Sequence, residues 1–122
     1  QAVCCGFVYA VATADNYIKS GMHKNVLVIG AETITRLLNW EDRGSCILFG
    51  DGAGAFILSA QENTDRGILS NHLHSDGQYL ESLKTDGGAS SSETVGKITM
   101  AGNDIFKLAV NLISSSIEDA LE

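Results

Sequence analysis

Apolar positions run almost without a break from Val3 to Ile18, and Phe7, Val11, Ala14 and Ile18 recur at helical spacing. Val8 and Ala12 add a second apolar face, which predicts a helix buried on most of its sides. Lys19, Ser20 and Gly21 close it with a cation at the C-terminal end and a glycine cap. The next run, Asn25-Val-Leu-Val-Ile-Gly-Ala31, has no polar alternation and reads as a central parallel strand. Residues 32–44 are polar and irregular, and Ser45 to Phe49 is apolar. Gly50 to Gly54 reads as a glycine hinge, and Ala55 to Ala60 as a second strand. After a polar turn at Gln61 to Arg66, Gly67 to His74 alternates as a half-exposed strand would. Asp86 to Glu93, rich in Gly and Ser, predicts a mobile loop. Beyond Ile98-Thr-Met100 lies an amphipathic helix with Asn103 as its N-cap. Its apolar stripe is Phe106, Ala109, Val110, Ile113, Ile117, Ala120 and Leu121. Helix, three strands and helix without hairpin turns point to α/β layering.

Composition narrows the function classes. The 122 residues suit one ordinary domain, and 44% apolar with 19% charged residues is globular rather than disordered. A net charge of −7 argues against nucleic acid, whose binders cluster Lys and Arg. No apolar run approaches the roughly 20 residues of a membrane helix. Three cysteines, two of them adjacent, make no secreted disulfide framework and favour a reducing compartment. The chain starts at Gln1 beside apolar sequence and stops at Glu122 inside a helical pattern, as expected of a segment from something longer.

Chemistry concentrates at Cys4-Cys5-Gly6-Phe7, the start of the first helix. A thiol there meets the positive end of the macrodipole, which can lower a cysteine pKa from about 8.5 by a unit or more. The thiolate is the nucleophile of acyl transfer, and the same free amides can receive an oxyanion. The plainer alternative is a small buried hydrophobe. A vicinal pair also raises thiol redox or soft-metal sensing, although it lacks the two-residue spacer of redox motifs. Cys46 sits in an apolar run and reads as core. His72 and His74 share a face of the expected strand. With Asp76 or Glu81 they could hold zinc or nickel, but two histidines on a half-wet strand is the simpler reading. Gly50-Asp51-Gly52-Ala53-Gly54 lacks the Lys-Ser/Thr of a phosphate loop. There the glycines let the backbone bend, with Asp51 bonding to loop amides. Arg43, in Trp40-Glu41-Asp42-Arg43-Gly44, can stack on or pair with an adenine nucleotide, or simply pair with Glu41 or Asp42.

Six motifs occur in order: Cys4-Cys-Gly-Phe-Val-Tyr9, Val26-Leu-Val-Ile-Gly-Ala-Glu32, Asp42-Arg-Gly44, Phe49-Gly-Asp-Gly-Ala-Gly54, His72-Leu-His-Ser-Asp-Gly77 and Thr99-Met-Ala-Gly-Asn103. Together they resemble the β-ketoacyl-acyl carrier protein synthase III family of the thiolase-like superfamily. The resemblance implies an αβαβα layered sandwich built from two similar halves. This chain would be a middle segment: residues 1–66 end the first half and residues 67–122 begin the second. It also implies a cytoplasmic, homodimeric acyltransferase of fatty acid synthesis. Such an enzyme condenses a short acyl-CoA, acetyl-CoA foremost, with malonyl-acyl carrier protein through a cysteine thioester, with loss of carbon dioxide. Acyl-CoA is a substrate there, and no cofactor or metal is expected; nor is a nucleic-acid or membrane partner.

Residue by residue, the resemblance makes Cys4 the nucleophile and Cys5 a variable position. It makes Arg43 a contact of the coenzyme A adenine, and Phe49, Leu83, Met100 and Phe106 lining of the acyl and pantetheine tunnel. Gly102 and Asn103 match a loop near the pantetheine arm. The family's catalytic His and Asn match nothing in these 122 residues; nor does the tryptophan partner of Arg43 or the basic carrier-protein docking patch. Other readings are a hydroxymethylglutaryl-CoA synthase-like or polyketide-type condensing enzyme, a non-catalytic binding or assembly piece, and a thiol or metal sensor.

Overall fold

The computed structural model describes residues 2–88, 90 and 92–122 and resolves two compact units, Gln1–Glu32 with Gly52–Leu73, and Thr33–Asp51 with His74–Glu122. In the first unit a 3-10 turn, Val3–Cys5, leads into helix α1, Gly6–Lys19. The helix stops as its sequence predicts: Ser20 caps it and Gly21 follows at φ +73°, where a Cβ would be strained. Strand β1, Asn25–Glu32, pairs with β2, Gly52–Ser59, and α1 packs on this ribbon.

The pairing is antiparallel, with Val28 opposite Phe56 and Glu32 opposite Gly52, which corrects the expectation of a parallel β1. Absence of polar alternation reports apolar character on both faces; it carries no information on strand direction. One face buries Val28, and Phe56 meets Phe7 of α1 edge-on with ring centroids 5.4 Å apart. On the other face Leu27, Ile29 and Ile57 are exposed. The ladder also takes in Gly52–Gly54, so the expected hinge ends at Asp51. Helix α1 is not buried on most sides: Ala12, Ala14 and Asp15 are buried, whereas Phe7, Val8 and Tyr17 are substantially exposed because the two-stranded ribbon covers only one face. Asp15 is compensated by Lys19 and Asn71, each donating to Oδ2 at 2.8 Å.

Gly67 to His74 forms no strand. Side chains rather than a ladder hold part of it: Lys19 Nζ donates to the Ile68 carbonyl at 3.3 Å, and Asn71 to Asp15.

In the second unit, 3-10 turns at Ile34–Leu37, Cys46–Leu48 and Gly77–Ser82 precede a short antiparallel pair, β3, Leu83–Thr85, and β4, Ile98–Met100. Three residues per strand are too few to show a period in sequence. Of the Gly- and Ser-rich stretch expected to loop, Ala89 and Ser91 lie outside the described residues. Helix α2, Gly102–Leu121, follows. Its N-cap is Ala101, not Asn103; the Ala101 amide is tied to the Ser82 carbonyl at 2.9 Å, which fixes the chain one step before the helix. No side chain caps it, and Asp104 places a carboxylate in its first turn. The stripe Phe106, Val110, Ile113, Ile117 and Leu121 is exposed. Among the described residues, no helix is long and apolar enough to cross a membrane.

Leu38 and Ser45 are the most deeply buried side chains of the second unit. Leu38→Ala is expected to cost about 2–5 kcal/mol, since it removes a fully enclosed side chain. Urea denaturation measures it, and a loss below about 1 kcal/mol would show that the site collapses around the smaller residue.

Candidate active site

In the first unit, Cys4 lies in the single turn that opens α1. The turn is closed by the Cys5 amide donating to the Ala2 carbonyl at 3.1 Å and the Gly6 amide donating to Val3. No side chain caps the helix start, so its first-turn amides have no side-chain acceptor. Cys4 is exposed, and so is Cys5, which holds the N-cap position. An accessible thiol at a helix start can attack a thioester carbonyl. Val3, just before it, has φ +47°, a region that a β-branched residue rarely enters. Strain of this kind concentrates at reactive positions. Cys46 is half-buried rather than enclosed core.

The second unit shapes the turn around Arg43. Asp42 Oδ1 accepts the Gly44 amide at 3.0 Å and Oδ2 accepts the Ser45 hydroxyl at 2.5 Å. The Asp42 carbonyl accepts the amides of Ser45 and Cys46 at 3.2 and 3.0 Å. Glycine at position 44 fits this approach, since a Cβ there would stand 3.2 Å from Oδ1. The Ser45 hydroxyl, then the Gly44 amide, hold the Asp42 carboxyl below its ordinary pKa of 3.8. Arg43 is exposed at the tip of the turn and has no ion pair among the described residues. The pairing with Glu41 or Asp42 considered from sequence is therefore not made.

Asp51 does bond to a loop amide: Thr35 donates its N–H to Oδ1 and its hydroxyl to Oδ2, both at 2.8 Å. The Thr35 amide first, then the hydroxyl, hold this carboxyl below 3.8. A depressed folded-state pKa gives stability that is complete above the ordinary value and is lost as pH falls through the folded one. Asp51→Asn is therefore expected to flatten the acid limb of the stability curve below about pH 4. Urea midpoints taken down the acid range check this, and identical acid slopes would contradict it.

Leu83 and Met100 are directly opposed across β3 and β4, and both are half-buried. A Cβ at Gly102 would lie 3.7 Å from Met100 Cε. Asn103 and Phe106 follow on the exposed first turns of α2, and Phe49 is half-buried after the Cys46–Leu48 turn. The structure thus brings Leu83, Met100 and Gly102 together. His72 and His74 do not join as ligands: His72 Nε2 meets Ser70 Oγ at 3.0 Å, and His74 Nε2 lies 3.6 Å from Asp119 Oδ2. Among the described residues no three His, Cys, Asp or Glu side chains group around a metal position. The roles of Asp42, Ser45 and Thr35 were missed from sequence. The Asp-x-Gly spacing at 42–44 was the available signal for the first, because Asp readily bonds an amide two residues on.

Residues 1–77 match the family model of 3-oxoacyl-[acyl-carrier-protein (ACP)] synthase III. The chain belongs to this family. It is 55% identical over 127 residues to the beta-ketoacyl-[acyl-carrier-protein] synthase III of Bradyrhizobium diazoefficiens, covering 100% of this chain and 39% of that protein. Its structure is similar to 3-oxoacyl-(acyl carrier protein) synthase III from Pseudomonas aeruginosa, with TM-score 0.84 at 34% identity over 96% of this chain and 38% of that one. It is also similar to a priming beta-ketosynthase from a polyketide biosynthetic pathway, with TM-score 0.70 at 29% identity over 88% of this chain and 33% of that one. The chain spans about 39% of the length of the curated relatives it matches. Its mixed helix-and-sheet arrangement is an α/β segment of the synthase III, thiolase-like fold.

Proposed function

We propose that this chain carries the nucleophile-bearing part of a β-ketoacyl-acyl carrier protein synthase III. The observation that carries the reading is Cys4, exposed at the uncapped opening of α1, inside the stretch that matches the family. The Cys4 sulfur attacks the acyl-CoA carbonyl and expels the coenzyme A thiolate, leaving the acyl group on Sγ. Decarboxylation of malonyl-acyl carrier protein releases carbon dioxide and generates an enolate. Its carbon attacks the Cys4 thioester, forms the new carbon–carbon bond and returns the thiolate. Arg43, without an ion pair among the described residues, contacts the acyl-CoA nucleotide. Phe49, Leu83, Met100 and Phe106 line the acyl and pantetheine path, and Gly102 with Asn103 borders the pantetheine arm. No cofactor enters this chemistry. The reading includes a homodimer in the cytoplasm, with the half-repeats meeting at residues 66–67 and neither nucleic acid nor membrane as partner.

The likeness to the priming beta-ketosynthase favours a polyketide-type condensing enzyme as the second reading. Both are tested in a synthase of the relatives' full length that carries these 122 residues. Acetyl-CoA with malonyl-acyl carrier protein should release carbon dioxide and yield acetoacetyl-acyl carrier protein. Turnover confined to a polyketide carrier protein would favour the second reading, and no turnover with either carrier would overturn both.

A further inference from the structure

We infer that Asp42 is a positioning residue: it holds the turn that presents Arg43 to the nucleotide end of acyl-CoA and, being itself engaged, leaves the guanidinium unpaired. This rests on the proposed contact of Arg43 with that nucleotide. Three observations carry it. Both Asp42 carboxylate oxygens are occupied, one by the Gly44 amide and one by the Ser45 hydroxyl, and the Asp42 carbonyl holds two more amides of the same turn. Ser45 is only 1% exposed, so one oxygen of the exposed Asp42 carboxylate is anchored to a buried side chain. Arg43 lies between the clamped residues, exposed and without an ion pair among the described residues.

Coenzyme A carries phosphate oxygens and an adenine face, which an unpaired guanidinium meets by charge-assisted hydrogen bonds and stacking. A fixed turn also reduces the conformational freedom lost on binding. Asp-Arg-Gly is therefore one device: a carboxylate that bonds ahead, an arginine at the tip, and a glycine that lets the carboxylate approach.

The test uses a synthase of the relatives' full length that carries these 122 residues, with acetyl-CoA and S-acetyl-pantetheine as donors. The second donor lacks the nucleotide. Asp42→Ala should raise KM for acetyl-CoA about tenfold, with kcat and the KM for S-acetyl-pantetheine within about twofold of the parent. Asp42→Asn, which keeps an oxygen for the Gly44 amide, should stay within about threefold. Ser45→Ala, a milder change that keeps the carboxylate, should raise KM for acetyl-CoA about threefold. In an Arg43→Ala background, Asp42→Ala should add nothing.

Arg43→Ala with an unchanged KM for acetyl-CoA overturns the nucleotide contact and the positioning role with it. A raised KM in Arg43→Ala, with no rise in Asp42→Ala and Ser45→Ala, overturns the positioning role alone. Equal losses with both donors also overturn it, because they mark a general folding defect.

Discussion

Cys4→Ala, made in a synthase of the relatives' full length that carries these 122 residues, is expected to lose condensation by about a thousandfold or more. The size follows from covalent chemistry. On the proposed function, without Sγ there is no thioester, and the enolate would have to attack acyl-CoA directly. Cys4→Ser should lose nearly as much, since a hydroxyl is far less ionised than a thiol near neutral pH. The neighbouring cysteine is the internal control. Cys5 sits at the N-cap of α1, one residue further along the turn, so its side chain leaves the helix in a different direction. Cys5→Ala should therefore stay within about threefold. Steady-state condensation rates decide, and a large loss in Cys5→Ala with a small one in Cys4→Ala would reverse the assignment.

The second large effect concerns the 122-residue chain by itself. Its rate of malonyl-acyl carrier protein decarboxylation is expected to fall at least about a hundredfold below that of the Bradyrhizobium diazoefficiens relative. Decarboxylation builds an enolate, whose charge needs donors already in place. Of the histidines, His72 is engaged by Ser70 and His74 lies near Asp119, and the chain spans about 39% of the relative's length. Exposed Leu27, Ile29 and Ile57 on the ribbon, and Phe106, Val110 and Ile113 on α2, also favour self-association of the isolated chain. Slow acylation of Cys4 without condensation is the expected behaviour. Light scattering and a carbon dioxide release assay, run on the same preparation, measure both. Turnover within tenfold of the relative would show that the donors are present after all.

Helices were the most legible part of the sequence. In α1 and α2 the apolar spacing placed the elements, and Lys19-Ser20-Gly21 marked where the first one stops. Strand direction was not legible, because Val26 to Ile29 are apolar on both faces whichever way the partner runs. The pair at Leu83–Thr85 and Ile98–Met100 escaped because three residues show no period. Gly67 to His74 alternates, yet that stretch is held through Asn71 and the Ile68 carbonyl, contacts that involve partners about fifty positions away. The place of Cys4 at a helix start was legible, and so was the bonding of Asp51 to a loop amide. Asp42 was read only as a partner for Arg43. Its actual bonds to Gly44 and Ser45 depend on how tightly the turn closes, which charge pattern alone does not report.

The most direct measurement is the site of acylation. A synthase of the relatives' full length that carries these 122 residues is incubated with acetyl-CoA, quenched in acid, digested and mapped by mass spectrometry. The acetyl group is expected on Cys4, lost on treatment with hydroxylamine as a thioester would be, with Cys5 and Cys46 unmodified. Acetyl found on Cys5, or no acylated cysteine under conditions where the Bradyrhizobium diazoefficiens relative acylates its own, would contradict the assignment of Cys4 as the nucleophile.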